Sequence, residues 1–397
     1  MKTKTWVLGG FGAVAAATLV ACGGGGGGGS DGPATMRLFL TDAPACGYDN
    51  VWVTVDKVRV HRSASAGDND GGWVEMDLSP DRRVDLLTLT NGTLEPLGQM
   101  QLEAGTYTQM RLVLAPNSAS APMANSIKPT GGPETALTTP SGQQSGLKMN
   151  VNVDVPAGQV ADFAIDFDAC KSFVRAGNSG RYLLKPVLTV IPILSSKIVG
   201  WVDAPMAASG VSTSVSAQVG GVPVRSTAPA GGGRFELFPI PTGNYDLVIT
   251  STGRVNAVMT GVPVTAAGAT TIGSESVRLA PPASAASAVA SGSVTVGGSG
   301  ANTSASVRAV QSLSGGTKME VAHANGDAAS GVYSLRLPTD APASVGYAAS
   351  AAAFTFTSDG AMAGKYRLEA TTPTVTTPLT YDLTLTADTT VPTFVFP

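Results

Sequence analysis

The chain is poor in the residues from which most catalytic and metal sites are assembled. It has 2 His and 3 Cys in 397 residues, so a centre built from several imidazoles or thiolates has too few donors. Charged residues make up 13%, about half of the ~25% usual in soluble domains. Their signs nearly balance, 25 Lys plus Arg against 28 Asp plus Glu for a formal net charge of −3. That leaves no basic field with which to grip nucleic acid. Gly, by contrast, is abundant at 48 residues, and from Met36 onward β-like runs alternate with Gly/Pro/Asn/Asp/Ser clusters. The expected fold class is all-β, and at ~100 to 200 residues per domain the length accommodates two to four domains.

The first residues read as an address. Lys2 and Lys4 precede an apolar run from Trp6 to Ala21, shorter than the ~20 residues of a membrane-spanning helix and shaped like a signal-peptide core. It ends in Leu19-Val20-Ala21-Cys22, which resembles the bacterial lipobox, whose Cys thiol accepts a diacylglycerol. Cys22 is therefore the expected lipidation site, with 1–21 a lipoprotein signal peptide and 22–34 a tether. Gly23 to Gly29 in that tether have no side chain to pack and behave as a flexible coil. Gly23 stands where Gram-negative lipoproteins destined for the inner membrane carry Asp, so the resemblance implies the outer membrane.

With Cys22 acylated, Cys46 and Cys170 remain, and in an oxidising compartment two remaining thiols are expected to pair. The long loop so closed would be worth about 4 to 5 kcal/mol in the chain-entropy view. The rival reading, a nucleophilic Cys, needs His61 or His323 as its base.

Strand patterns organise the rest. Met149, Val151, Val153 and Val155 share one face of Lys148 to Val155, with Lys148, Asn150, Asn152 and Asp154 on the other, the mark of a half-buried antiparallel strand. Val51, Val53 and Val55 have one parity and Val58 and Val60 the other, which predicts a β-bulge around Asp56 and Lys57. Tyr182 to Ile193 reads as one central strand, and Val84 to Leu89, closed by Asn91-Gly92, as a helical turn. Composition shifts at Ser195-Ser196, and the Ala/Ser/Pro-rich stretch 281–291 reads as a linker. The expectation is three β-sandwich-like domains in tandem, over 35–194, 197–280 and 292–397.

The segments TDAPACGYDNVWVTVDKVRVH (Thr41 to His61), VDLLTLTNG (Val84 to Gly92), AGTYTQMRLVLAPN (Ala104 to Asn117), IDFDACKSFV (Ile165 to Val174) and YLLKPVLTVIP (Tyr182 to Pro192) resemble the bacterial lipoprotein family catalogued as domain of unknown function 4382. The resemblance implies a location and a fold class without a chemistry. The middle block is similar to carboxypeptidase-regulatory-like, prealbumin-type sandwiches through RFELFPIPTGNYDLVI (Arg234 to Ile249). The last block lacks a clean Pro-x-Gly-x-Tyr segment.

Several motifs invite a chemical reading. Gly28-Gly29-Ser30-Asp31-Gly32 satisfies G-x-S-x-G, but a nucleophile elbow needs a strand before the Ser and a helix after it. His61 and His323 read as surface residues, the second in an Ala/Asn/Gly loop. Asp68-Asn69-Asp70-Gly71 offers oxygens to a hard cation, with a solvated hairpin loop as the plainer reading, so Asp68 and Asp70 are weak metal candidates. Asp162, Asp166 and Asp168 form a carboxylate row expected to face solvent. Trp73 and Trp201 are expected in the core, whereas Trp52, opposite in parity to Val51, Val53 and Val55, is the weak candidate for stacking a sugar ring. No cofactor is implied and no catalytic residue is assigned. The reading is a non-enzymatic envelope lipoprotein, partnered by the membrane through its anchor and by an envelope protein or glycan, with no nucleic acid. A carbohydrate-binding lipoprotein is the alternative, and a metal-dependent or hydrolytic enzyme comes third.

Overall fold

A computed structural model describes residues 32–42, 47–194, 196–266, 268–300, 304–375 and 377–397. The expected signal peptide, Cys22, Gly23 to Gly29, Ser30 and Cys46 lie outside the described residues.

The chain is built almost wholly of strands, arranged as three β-sandwiches. In the first, a four-stranded sheet runs Leu188–Pro192, Val160–Phe167, Ala34–Asp42, Glu95–Leu102. It faces a larger sheet centred on Tyr48–His61, Gly105–Leu114 and Leu147–Val155. Alternation decides which side chains enter: Met36, Leu38 and Leu40 meet Val53, Val55, Leu112 and Phe167, all without accessible surface. The bulge falls where the change of parity requires it, the register of Tyr48–His61 slipping between Val55 and Lys57 against both neighbours. Leu147–Val155 alternates as read, with Met149, Val153 and Val155 buried and Lys148, Asn150, Asn152 and Asp154 exposed.

The middle sandwich packs Arg234–Leu237, Lys197–Trp201 and Ala269–Ile272 against a sheet containing Val222–Thr227, Thr213–Val219, Gly243–Ser251 and Ala257–Val264. The third pairs Val332–Pro338 with Ser287–Val296 on one layer, and runs Lys318–Asn325, Ser306–Ser312, Lys365–Thr371, Leu379–Thr384 across the other. In each sandwich a Gly-x-Tyr triplet opens a strand or immediately precedes one, and the phenol donates to a backbone carbonyl: Tyr107 to Glu103 (3.0 Å), Tyr245 to Pro241 (2.8 Å), Tyr366 to Pro338 (2.6 Å). Gly364, at φ +61°, is held to glycine because a Cβ there would sit 2.4 Å from the Leu385 carbonyl oxygen.

Three expectations need correction. The stretch 281–291 is not a free linker: Ser287–Val296 is a strand with Ala288 and Ala290 buried, and Val255 N–H donates to the Pro282 carbonyl (3.1 Å). Small side chains that look like low complexity suit a closely packed sheet. The last domain is also not one contiguous block, because Ala343–Gly346 joins the middle sandwich in parallel beside Ala257–Val264, and Phe354 and Phe356 pack on that sandwich's core. Tyr182 to Ile193 splits into Tyr182–Leu184 and Leu188–Pro192 in different sheets, broken at Pro186, which has no N–H for a ladder. The expected helical turn is present, as a single 3₁₀ turn over Leu86–Thr88 capped by Asp85.

Candidate functional site at the junction of three sandwiches

The carboxylate row read as solvated is the start of the site. Leu188–Pro192 and Ala34–Asp42 cover both edges of Val160–Phe167, and the middle sandwich closes over the end of its outer face. Asp162 pairs with Arg37 at the exposed end, whereas Asp166 is 9% exposed and forms an ion pair with Arg225 of the middle sandwich, itself 3% exposed. Arg225 also donates to Thr41 Oγ1 (2.7 Å) and the Phe238 carbonyl (3.2 Å), so the guanidinium is held from both sandwiches. Beside it, Asn91 reaches the middle sandwich with three polar groups. Its N–H donates to Thr227 Oγ1 (2.9 Å), its Nδ2 to the Ala228 carbonyl (2.7 Å), and its Oδ1 accepts from Glu236 N–H (3.1 Å). The φ of +55° that aims it there is one that Asn tolerates better than most residues.

Asp168 caps the short helix Ala169–Ser172, accepting from Lys171 N–H (3.1 Å). Burial pushes its carboxyl up to about 6, against the pull of Lys171. Lys171 Nζ reaches Glu320 of the C-terminal sandwich (2.7 Å), and Arg308 approaches the other oxygen of Glu320 (3.2 Å) while also binding Glu369 (2.7 Å). The middle sandwich clasps the backbone of the same residue. Gln218 Nε2 donates to the Glu320 carbonyl (2.8 Å), and Glu320 N–H donates to Gln218 Oε1 (2.9 Å). Glu320 thus touches all three sandwiches. Asn325 Nδ2, donating to the Lys171 carbonyl (2.7 Å), and Asp327, accepting from Gly177 N–H (2.7 Å), extend the seam between the first and third. A small apolar cluster of Val248, Val258, Leu313 and Met319 closes the seam between the second and third.

His323 is not in a loop; it lies on Lys318–Asn325 beside this junction, its Nδ1 buried and without a hydrogen-bond partner among the described residues. Burial, with Lys171 and Arg308 nearby, pushes its imidazole down to about 3. His61 is held at the end of its strand: Nδ1 accepts from Ser63 N–H (2.8 Å), so Nε2 donates to the Gly71 carbonyl (2.9 Å). The two imidazoles belong to different sandwiches and are not brought together.

Asp68 pairs with Arg111 of Gly105–Leu114 and Asp70 accepts from Gly67 N–H (2.8 Å), so one carboxylate ties the loop to the sheet and the other closes the loop on itself. Among the described residues no cluster of His, Cys, Asp or Glu has the makings of a metal site. Trp52 is half-buried with the Arg83 guanidinium 4.6 Å over its ring, and Trp73 lies within 4.6 Å of both Arg59 and Arg111. Trp201 is half-buried on its strand. Cys170 sits in the capped helix; its expected partner Cys46 is outside the described residues. Sequence reading missed Arg225, Gln218, Arg308 and Glu320, for each stands singly within a β-run and acquires meaning only across a seam.

Residues 33–186 match the family described as Domain of unknown function (DUF4382). No curated protein matches the chain. Solved structures with some likeness include the Bacillus anthracis TIE protein (10% identity, 92% of this chain and 50% of that one, TM-score 0.17). BcpA, the major pilin subunit of Bacillus cereus, is similar at 10% identity over 91% of this chain and 99% of that one (TM-score 0.16), as is the Corynebacterium diphtheriae major pilin SpaA at 11% over 91% and 99% (TM-score 0.17). The chain spans about half the length of the first of these. Superpositions this poor establish no shared fold.

Proposed function

We propose that the chain is a non-catalytic lipoprotein of the bacterial cell envelope, held on the outer membrane by acyl chains on Cys22, and that its three interlocked sandwiches serve as a structural or binding module. The observation that carries this reading is the junction itself. Charged and amide groups converging from three sandwiches are paired with one another, Arg225 with Asp166 and Glu320 with both Lys171 and Arg308, an arrangement that fixes the sandwiches against each other. Two or three acyl chains at ~0.8 kcal/mol per buried CH₂ hold a protein on a membrane far longer than one.

The strand Ala34–Asp42 gives the module a direction. Ala34 adjoins the tether, and the strand Ala34–Asp42 at ~3.3 Å per residue reaches Thr41, beneath Arg225, roughly 23 Å further on. Tether and middle sandwich therefore meet the first sandwich at opposite ends of one strand, which supports a body projecting away from the membrane. The same reading assigns Cys46 and Cys170 to one disulfide. Supporting this, Asp42 Oδ1 accepts from Ala169 N–H (2.9 Å) and the Tyr48 ring packs edge-on to Phe173 at 6.1 Å, so the chain on either side of Cys46 lies against the chain on either side of Cys170.

The test is Cys22→Ser in a fractionated envelope. The expected result is release into the soluble fraction after a salt wash; retention on the membrane would defeat the lipoprotein reading.

A further inference from the structure

The seam between the middle and C-terminal sandwiches opens into a cleft. Two cavities of about 470 and 270 Å³ share Ser212, Thr250 and Val321 as walls, and the larger alone falls within the ~300–1,000 Å³ usual for small-ligand sites. The lining is dense in hydroxyls: Ser251, Thr252, Ser284 and Ser287 in the larger cavity, Ser214 and Ser226 in the smaller. Two groups in it stand apart. Arg254, on one wall, is taken by Asp203 (3.1 Å) and the Pro281 carbonyl (2.8 Å), but Arg336 on the same cavity has no side-chain hydrogen bond or ion pair among the described residues. In the smaller cavity the buried Nδ1 of His323 is likewise without a partner, and a buried polar atom left unpaired in a folded protein calls for something to fill it.

We propose that this cleft binds a short acidic saccharide, with a carboxylate on Arg336, sugar hydroxyls along the Ser/Thr walls, and one hydroxyl exchanging a hydrogen bond with His323 Nδ1. The chemistry selects the class. A guanidinium fork takes a carboxylate in bidentate fashion. Hydroxyl walls both donate and accept, as sugar hydroxyls do. A neutral imidazole nitrogen is satisfied by a hydroxyl in either tautomer, because a hydroxyl donates to a bare nitrogen and accepts from a protonated one. Val321, half-buried on the shared wall, supplies the apolar surface on which a pyranose face rests. This role goes beyond the scaffold reading and does not depend on the lipid anchor.

The test is calorimetric titration of the full chain in detergent micelles with digalacturonate, with neutral galactobiose and with inorganic phosphate. Digalacturonate should bind saturably, and Arg336→Gln, at an exposed position that should leave the melting temperature unchanged, should weaken it about tenfold while leaving any galactobiose binding alone. His323→Leu should weaken both sugars. The proposal is overturned by absence of saturable digalacturonate binding, by phosphate binding as well as the sugar acid, or by an Arg336→Gln protein that still prefers digalacturonate over galactobiose to the same degree.

Discussion

Inside the first sandwich Leu38, Leu40, Val53, Val55 and Phe167 meet with no accessible surface, while at the end of the same strands Thr41 and Asp166 turn outward to hold Arg225. Interior and seam lie one residue apart on Ala34–Asp42 and are held by opposite means. The interior is non-directional and tolerates exchange of one apolar residue for another of similar volume. The seams are directional: Arg225, Asn91, Gln218 and Glu320 each satisfy several partners at once, and only in one relative placement of the sandwiches. In a chain with 13% charged residues, two ion pairs among the described residues cross from one sandwich to another, Arg225 with Asp166 and Lys171 with Glu320. Apolar burial makes each sandwich, whereas polar complementarity decides how the sandwiches stand to one another.

Deleting one partner of the most buried seam pair should have the largest effect. Arg225→Ala leaves Asp166 buried and unpaired, with an expected cost of about 3–5 kcal/mol, read in urea unfolding as earlier separation of the first two sandwiches. Replacing both partners, Arg225→Leu with Asp166→Leu, should recover much of that loss; if it does not, the pair itself is the source of stability. Leu40→Ala should cost about 2–5 kcal/mol through the cavity it leaves, but should lower the first sandwich's stability without loosening its seam. Asn91→Ala removes the two side-chain hydrogen bonds to the middle sandwich and should cost about 1–3 kcal/mol, visible as faster hydrogen exchange at Glu236 N–H.

The smallest effect is in pH. Because the folded Asp168 carboxyl is raised to about 6, the fold favours its protonated form, so its contribution is full below the ordinary carboxylate range and is lost as pH rises through 6. Stability measured from pH 4 to 7 should therefore fall less steeply in Asp168→Asn, which keeps a capping side chain, than in the native chain. Equal slopes would show that Asp168 is not the group that titrates.

How much of this was readable in advance follows the same division. Lys148 to Val155 and the shift of parity at Asp56 declared themselves, because strand period and burial on one face are properties of contiguous residues. The carboxylate row was visible too, but its surroundings were not: alternation says that Asp166 points away from Phe167, and cannot say that another sandwich waits there. Ala288 and Ala290 looked like linker because small side chains carry little pattern, and the joining of Ala343–Gly346 to the middle sheet depends on a pairing with residues about 85 positions earlier in the chain. His323 was misplaced for the same reason, its strand being bordered by Ala and Asn and edged by other sandwiches.

The claim that the seams make three sandwiches one body is tested most directly by scanning calorimetry of the full chain beside the double variant Arg225→Ala, Glu320→Ala. The native chain should unfold in one coupled transition that resolves, in the variant, into separate transitions for the individual sandwiches. Independent transitions already present in the native chain, or a single transition that merely shifts in the variant, would contradict it.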